Sequence, residues 1–122
     1  MTLARQALGL DGEDTACRAL EARGYRILTR RYRTRIGEID VVARQGECIV
    51  FVEVKTRRDG RFGHPAAAVT AQKQRRLTVM AGDYLARHRL ERAPARFDVV
   101  AITLDEGRPR VEVIVDAFRP GW

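Results

Sequence analysis

Two apolar runs separated by a glycine turn constrain the fold of this 122-residue chain more than any other feature. Residues 41–43 precede the turn Gln45-Gly46-Glu47, and residues 48–52 follow it. Continuous β-branched and aromatic residues on both sides of a glycine turn predict a β-hairpin that is buried on both faces. If Gly46 and Glu47 form a two-residue loop, Cys48 opposes Gln45 and the register of the whole hairpin follows.

Four ionisable residues lie at the open end of this predicted hairpin: Glu38, Asp40, Glu53 and Lys55. Because side chains alternate between the faces of a strand, the predicted register places all four on one face. In this register Asp40 opposes Glu53, and a slip of one residue would separate the two carboxylates. The other face is expected to carry two apolar cross-strand pairs, Val41–Val52 and Ile39–Val54.

Opposed carboxylates across a hairpin lie roughly 5 Å apart. At an effective dielectric constant of about 20 they repel each other by about 3 kcal/mol, so a fold keeps them only when the charge is compensated. Three acids and one lysine suit a divalent cation, and oxygen ligands without Cys or His nearby favour Mg²⁺ or Mn²⁺. The alternative is a charged end of the sheet held by ion pairs such as Glu38–Lys55.

Lysine is rare in this chain, which makes Lys55 informative. Of the 23 Lys and Arg residues, only Lys55 and Lys73 are lysine. An ordinary surface cation in so arginine-rich a sequence is expected to be arginine, whereas a compact ammonium group can approach water on a metal ion. This bias favours a chemical role for Lys55 over a surface ion pair.

Asp40, followed thirteen positions later by Glu53-Val54-Lys55, resembles the active-site signature of the PD-(D/E)XK nuclease superfamily. Within it, GEID followed by FVEVKTR resembles the YraN-like bacterial proteins, an uncharacterised family related in fold to archaeal Holliday-junction resolvases. The resemblance extends from about residue 9 to residue 104. Ile39 occupies the proline position of the superfamily motif, a departure that leaves the chemistry intact.

The resemblance implies a restriction-endonuclease-like α/β fold with an αβββαβ core, in which helices flank a mixed central sheet. It also implies a Mg²⁺- or Mn²⁺-dependent endonuclease with three catalytic residues, Asp40, Glu53 and Lys55. The metal would be held by Asp40, Glu53, the backbone carbonyl of Val54 and Glu13. The rival interpretation is a non-catalytic nucleic-acid-binding module that keeps this fold.

Glu13 belongs to a predicted helix that Asp11 caps and Gly24 ends. Its spacing puts Glu13 on the same face as the apolar residues Ala16 and Leu20. Related nucleases place a metal-site glutamate on this first helix, and Glu13 occupies that position. The alternative is a solvated glutamate favoured by the dipole at the start of the helix.

The formal net charge of +7 and the sequence pI near 10.4 favour a polyanionic partner, most often nucleic acid. Two candidate phosphate contacts, Arg33 and Arg35, end the first predicted strand, where a solvated edge strand is the alternative. Three more lie in the glycine-containing linker 57–65: Arg57, Arg58 and Arg61. DNA is the preferred partner over RNA, and the sequence leaves dimerisation open.

The second half of the chain predicts a long helix over residues 66–89, followed by strands over 97–104 and 111–115. Superfamily members often bring a Gln or Lys from this helix to the site, and Gln72 and Lys73 match; a lysine that snorkels to solvent is the alternative. Strands on either side of a helix indicate parallel pairing. We expect one cytoplasmic domain over 1–122, without membrane segments, in which residues 1–10 are frayed or helical and 117–122 form a tail.

Overall fold

The computed structural model describes residues 2–58, 63–104 and 109–119, with residues 2–11 described by their backbone alone. Helix α1 spans Thr2–Ala22, a short 3-10 helix spans Pro65–Ala68, and helix α2 spans Ala71–Arg87. The five strands are β1 (Arg26–Thr34), β2 (Gly37–Gln45), β3 (Cys48–Arg57), β4 (Ala95–Thr103) and β5 (Arg110–Phe118). This order confirms the expected αβββαβ core, with β5 added at its end. No helix of the described part is long and apolar enough to cross a membrane.

The strands form one mixed sheet in the order β1-β2-β3-β4-β5. Neighbouring strands are antiparallel except β3 and β4, which are parallel and are connected through α2. Parallel neighbours need such a crossover because a tight turn cannot join them. The predicted parallel pairing is therefore confirmed, and β3 lies at the centre of the sheet.

The hairpin of β2 and β3 has the predicted register. Its ladder runs from Val41 opposite Val52 to Gln45 opposite Cys48, with Gly46 at φ 59° in the two-residue loop. A positive φ in the loop suits glycine, which has no Cβ to clash with the backbone.

Two apolar clusters cover the two faces of the sheet, and β3 contributes to both. One cluster packs against α1 and includes Ala16, Leu20, Val41, Val50, Val52 and Val100. The other packs against α2 and includes Ile39, Phe51, Leu77, Met80, Tyr84 and Phe97. Burial on both faces explains the continuous apolar run in the sequence of β3.

One predicted pair is wrong: Ile39 lies in the α2 cluster, whereas Val54 packs against the α1 cluster. The cause lies on β1, where Arg31 has a left-handed backbone (φ 55°) and breaks the alternation of side chains. Arg30 therefore pairs with Asp14 on α1, while Tyr32 donates to Asp83 on α2. The residues opposite them on β2 lie on the same two sides of the sheet: Val41, opposite Arg30, is in the α1 cluster, and Ile39, opposite Tyr32, is in the α2 cluster. Asp40 lies between these two residues, at the reversal.

The predicted helix boundaries need two corrections. Helix α1 begins at Thr2, so Asp11 lies inside it and is no N-cap, although Gly24 ends it as expected at φ 89°. The predicted helix over 66–89 is interrupted, because Thr70 caps α2 and accepts a hydrogen bond from the backbone N–H of Lys73. Thr70 favours a helix start since its hydroxyl satisfies an otherwise unpaired backbone N–H. At the other end of the chain, β5 includes Ala117 and Phe118 of the expected tail.

Gly12 allows α1 to approach β3 closely, because a Cβ at this position would stand 2.7 Å from Oγ1 of Thr56. Alanine in a helix interior is normally more favourable than glycine by up to about 1 kcal/mol. Here we expect Gly12→Ala to lower the free energy of unfolding by about 1 kcal/mol through overpacking. The same change in a Thr56→Ala background should raise it. Chemical denaturation of the four proteins measures both effects, and a stabilising Gly12→Ala with Thr56 present would contradict the close approach.

Candidate active site

Asp40 lies where β2 and β3 separate. The backbone ladder between them reaches the pair Val41–Val52, and beyond it Oδ2 of Asp40 accepts a hydrogen bond from the backbone N–H of Val54 at 2.8 Å. Burial and the charge of Glu53 raise the pKa of Asp40 to about 6, although the hydrogen bond from Val54 acts in the opposite direction and lowers it. The predicted register thus brings the two carboxylates close enough to interact.

Glu53 is almost completely buried, with 5% of its side chain exposed. Its Oε1 atom forms ion pairs with both lysines of the chain: Nζ of Lys55 lies 3.6 Å away, and Nζ of Lys73 is closer. Burial lowers the pKa of Lys73, but the hydrogen bond and the charge of Glu53 outweigh it, so the pKa is raised. Lys73 is therefore directed at the carboxylate and does not snorkel to solvent.

Glu13 faces the sheet from α1, and 13% of its side chain is exposed. Nε and Nη2 of Arg31 donate to its Oε2 atom at 2.8 and 2.6 Å. The other oxygen, Oε1, is buried and has no hydrogen-bond partner among the described residues. Because α1 begins at Thr2, Glu13 is not in the first helical turn and the helix dipole does not explain its presence. The charge of Glu13 contributes to the raised pKa of Asp40, which places the two acids in one electrostatic neighbourhood.

Glu38 was expected to lie with Asp40, Glu53 and Lys55, but it does not join this group. Its Oε2 atom accepts from Nε of Arg33 at 3.1 Å, and the alternative Glu38–Lys55 ion pair is not among the ion pairs of the described residues. The alternation of side chains reverses at Arg31 and Asp40. Glu38 therefore does not lie on the same face of the sheet as Glu53, as regular alternation would predict.

The residues predicted to contact phosphate differ in the exposure of their side chains and in their partners within the protein. Arg35 and Arg58 are exposed, and Arg33 is 80% exposed although it pairs with Glu38. Arg57 is half-buried, donates from Nη1 to the carbonyl of Gly63 at 2.6 Å and has a buried Nε without a partner within residues 2–58, 63–104 and 109–119. Gln72 is exposed beside Lys73. Arg61 lies outside the described residues.

The donor set suits a hard divalent cation because its candidate ligands are all oxygen atoms. Within the described residues no three Asp, Glu, His or Cys side chains are arranged to hold a metal ion. Each acid instead has a protein partner: Arg31 for Glu13, the Val54 N–H for Asp40 and the two lysines for Glu53. The buried, unpaired Oε1 of Glu13 is the observation that fits a cation best, since a buried oxygen normally has a partner. The predicted metal site stays a prediction.

Residues 12–102 match the family model of Uncharacterised protein family UPF0102. Among its curated relatives is a UPF0102 protein of Geobacter metallireducens, 49% identical over 118 residues, which are 97% of this chain and 97% of the relative. Another, of Symbiobacterium thermophilum, is 52% identical over 112 residues, 91% of this chain and 95% of the relative. The chain belongs to this family.

The UPF0102 match includes every candidate metal and catalytic residue, from Glu13 to Lys55, and also Lys73. In the sequence of this UPF0102 chain Arg31 belongs to the arginine cluster expected to contact phosphate, but in the structure it donates to Glu13. An arginine within a strand gives no local signal of a left-handed backbone, and its contact with Glu13 crosses from β1 to α1.

A second polar cluster lies at the other end of the sheet in this UPF0102 chain, around the fully buried Asp98. Its carboxylate accepts hydrogen bonds from Tyr25, Arg96 and the backbone N–H of Asp116. Arg96 also donates to Gln45 beside the hairpin loop. Since every partner belongs to the fold itself, this cluster has a structural role and joins three strands and the end of α1.

Proposed function

We propose that this chain is a metal-dependent nuclease that hydrolyses phosphodiester bonds in nucleic acid, with DNA preferred and branched DNA as a candidate substrate. The observation that carries the proposal is the approach of two carboxylates, the half-buried Asp40 and the buried Glu53, with the pKa of Asp40 raised to about 6. Buried carboxylates with perturbed pKa values are more common at functional sites than elsewhere. Asp40 has no ion pair with any described residue, which leaves it available to a cation.

Asp40, Glu53, the backbone carbonyl of Val54 and Glu13 would hold Mg²⁺ or Mn²⁺. A divalent cation at such a site supplies two effects: it makes water more acidic and it stabilises charge on the reacting phosphate. Placing these ligands on β2, β3 and α1 lets the rigid sheet and helix fix their separation.

Lys55 and Lys73 have different tasks in this proposal. Lys73 holds Oε1 of Glu53, so the orientation of that carboxylate does not depend on Lys55 alone. Lys55, whose side chain is 32% exposed, would then orient the attacking water or donate to the charge that develops on the phosphate. The exposed guanidinium groups of Arg33, Arg35 and Arg58 would contact neighbouring phosphates.

The second candidate function is a nucleic-acid-binding module without cleavage. One observation favours it: Glu13 and Glu53 are already paired with Arg31, Lys55 and Lys73, so two of the three acids are neutralised without a metal. Against it, the chain keeps Asp40, Glu53 and Lys55 together, whereas a module that no longer cleaves has no chemical need for all three.

A cleavage assay with matched substrates tests the proposal. Linear duplex, single-stranded and branched DNA and a duplex RNA would each be incubated with Mg²⁺, Mn²⁺ or EDTA, and Asp40→Ala would be the control. Metal-dependent cleavage by the wild type that Asp40→Ala lacks is the expected result. Binding without cleavage on every substrate would favour the second candidate.

Binding to duplex DNA should depend on salt through the exposed arginines near the site. We expect Arg35→Gln and Arg58→Gln each to reduce the slope of log affinity against log salt by about 0.9. Arg119→Gln is the matched control, because this exposed arginine follows β5 at the opposite end of the sheet. Fluorescence anisotropy at several salt concentrations measures the slopes. Unchanged slopes in the two site variants would place the nucleic acid elsewhere on the protein.

A further inference from the structure

The contact between Arg31 and Glu13 is unusual in its geometry. An arginine–carboxylate pair commonly forms two parallel hydrogen bonds, one to each oxygen. Here both donors, Nε and Nη2, converge on Oε2 at 2.8 and 2.6 Å, and none reaches Oε1. Oε1 is buried and has no hydrogen-bond partner in the part of the chain that the structure describes. The pair therefore fixes one oxygen of Glu13 and leaves the other unused.

The backbone of β1 is strained at the residue that makes this contact. Arg31 has φ 55°, a left-handed conformation that is unfavourable for a side chain such as arginine. Because of it, two consecutive residues of β1 reach the same helix: Arg30 pairs with Asp14 at 2.8 Å and Arg31 with Glu13. In a regular strand they would point to opposite faces. The strain is thus what directs Arg31 at Glu13.

We infer that Arg31 is a positioning residue for the proposed metal site: it holds Glu13 through Oε2 and keeps Oε1 free as the oxygen offered to a divalent cation. The inference rests on the proposed function and adds to it a residue that touches neither metal nor substrate. Partners of metal-binding carboxylates orient the ligand in this way, and their loss weakens metal binding.

Charge alone makes the opposite prediction, which gives the inference a sharp test. Removing a positive charge close to a cation site should strengthen cation binding, because the repulsion is lost. A positioning role requires the binding to weaken. Arg30→Gln provides a matched control, since it removes the same charge one residue away, next to Asp14, and leaves the Glu13 contact intact.

The experiment is a calorimetric titration of Mn²⁺ into metal-free wild-type protein, Arg31→Gln and Arg30→Gln. We expect Arg31→Gln to bind Mn²⁺ at least about 10-fold more weakly than the wild type. Arg30→Gln should stay within about twofold of the wild type or bind more tightly. Thermal melts followed by circular dichroism verify that each variant is folded.

Equal or tighter Mn²⁺ binding by Arg31→Gln would overturn the inference and leave the proposed function standing if the wild type still cleaves. A wild type that binds no Mn²⁺ and cleaves nothing would overturn both. Should Arg31→Gln fail to fold, Arg31→Asn replaces it, because asparagine tolerates a left-handed backbone. The same weakening is expected of that variant, and its absence would count equally against the inference.

Discussion

Replacing Asp40 with asparagine is expected to make the metal-free protein more stable at pH 8 and to abolish phosphodiester cleavage. Burial and the charge of Glu53 raise the pKa of Asp40 from 3.8 to about 6. A raised pKa means that the folded protein binds this proton more tightly than the unfolded chain does. The free energy of unfolding therefore falls as the pH rises from about 4 to about 6, and above this range the full destabilisation, about 2 to 3 kcal/mol, is present.

Asparagine cannot ionise, so Asp40→Asn avoids this destabilisation and can still accept the hydrogen bond from Val54. Denaturant titrations at pH 8 and pH 4 measure the effect, which should be large at pH 8 and small at pH 4. Asp83→Asn is a control of opposite sign, because the hydrogen bond from Tyr32 lowers the pKa of Asp83 and its charged form supports the fold. An Asp40→Asn variant that is less stable than the wild type at pH 8 would contradict the electrostatic description of the site.

Lys55→Arg should fold and bind nucleic acid but lose cleavage by at least about 100-fold, the scale of one lost transition-state donor. The fold should tolerate the change, because Lys73 forms an ion pair with the same oxygen of Glu53. Cleavage should not, because the larger and effectively non-titrating guanidinium cannot occupy the position of the ammonium group.

Single-turnover cleavage rates, with binding measured separately, test this prediction. Arg119→Lys is the matched control, a swap in the reverse direction at an exposed residue at the opposite end of the sheet, and should cleave within a few-fold of the wild type. Near wild-type cleavage by Lys55→Arg would mean that Lys55 serves only as an ion-pair partner.

Sequence patterns predicted the β2–β3 hairpin at the centre of this fold because its geometry depends on residues that are close together in the sequence. A glycine at φ 59° and alternating side chains determine the register of β2 and β3, and with it the approach of Asp40 to Glu53. The same reasoning failed for Ile39 and Val54, because alternation is reversed by the left-handed backbone of Arg31 on the neighbouring strand. The arginine at position 31 does not signal that conformation, as a glycine or an asparagine would.

The helix starts were mispredicted for a related reason. Asp11 is a good cap by residue type, but the helix continues through it to Thr2, so the preference was overridden. Contacts that join distant parts of the chain were also beyond local patterns. Arg31 reaches Glu13 across 18 positions. The approach of Lys73 to Glu53 was suggested by its helical spacing between Val69 and Leu77 and by the resemblance.

The most direct test of the account is the rate of Mg²⁺-dependent DNA cleavage at pH 8 by the wild type and by Asp40→Asn, purified in the same way and assayed on the same substrates. We expect cleavage by the wild type that EDTA stops, and no detectable cleavage by an Asp40→Asn protein that is folded and still binds DNA. Equal cleavage by both proteins, or none by the wild type on any substrate, would contradict it.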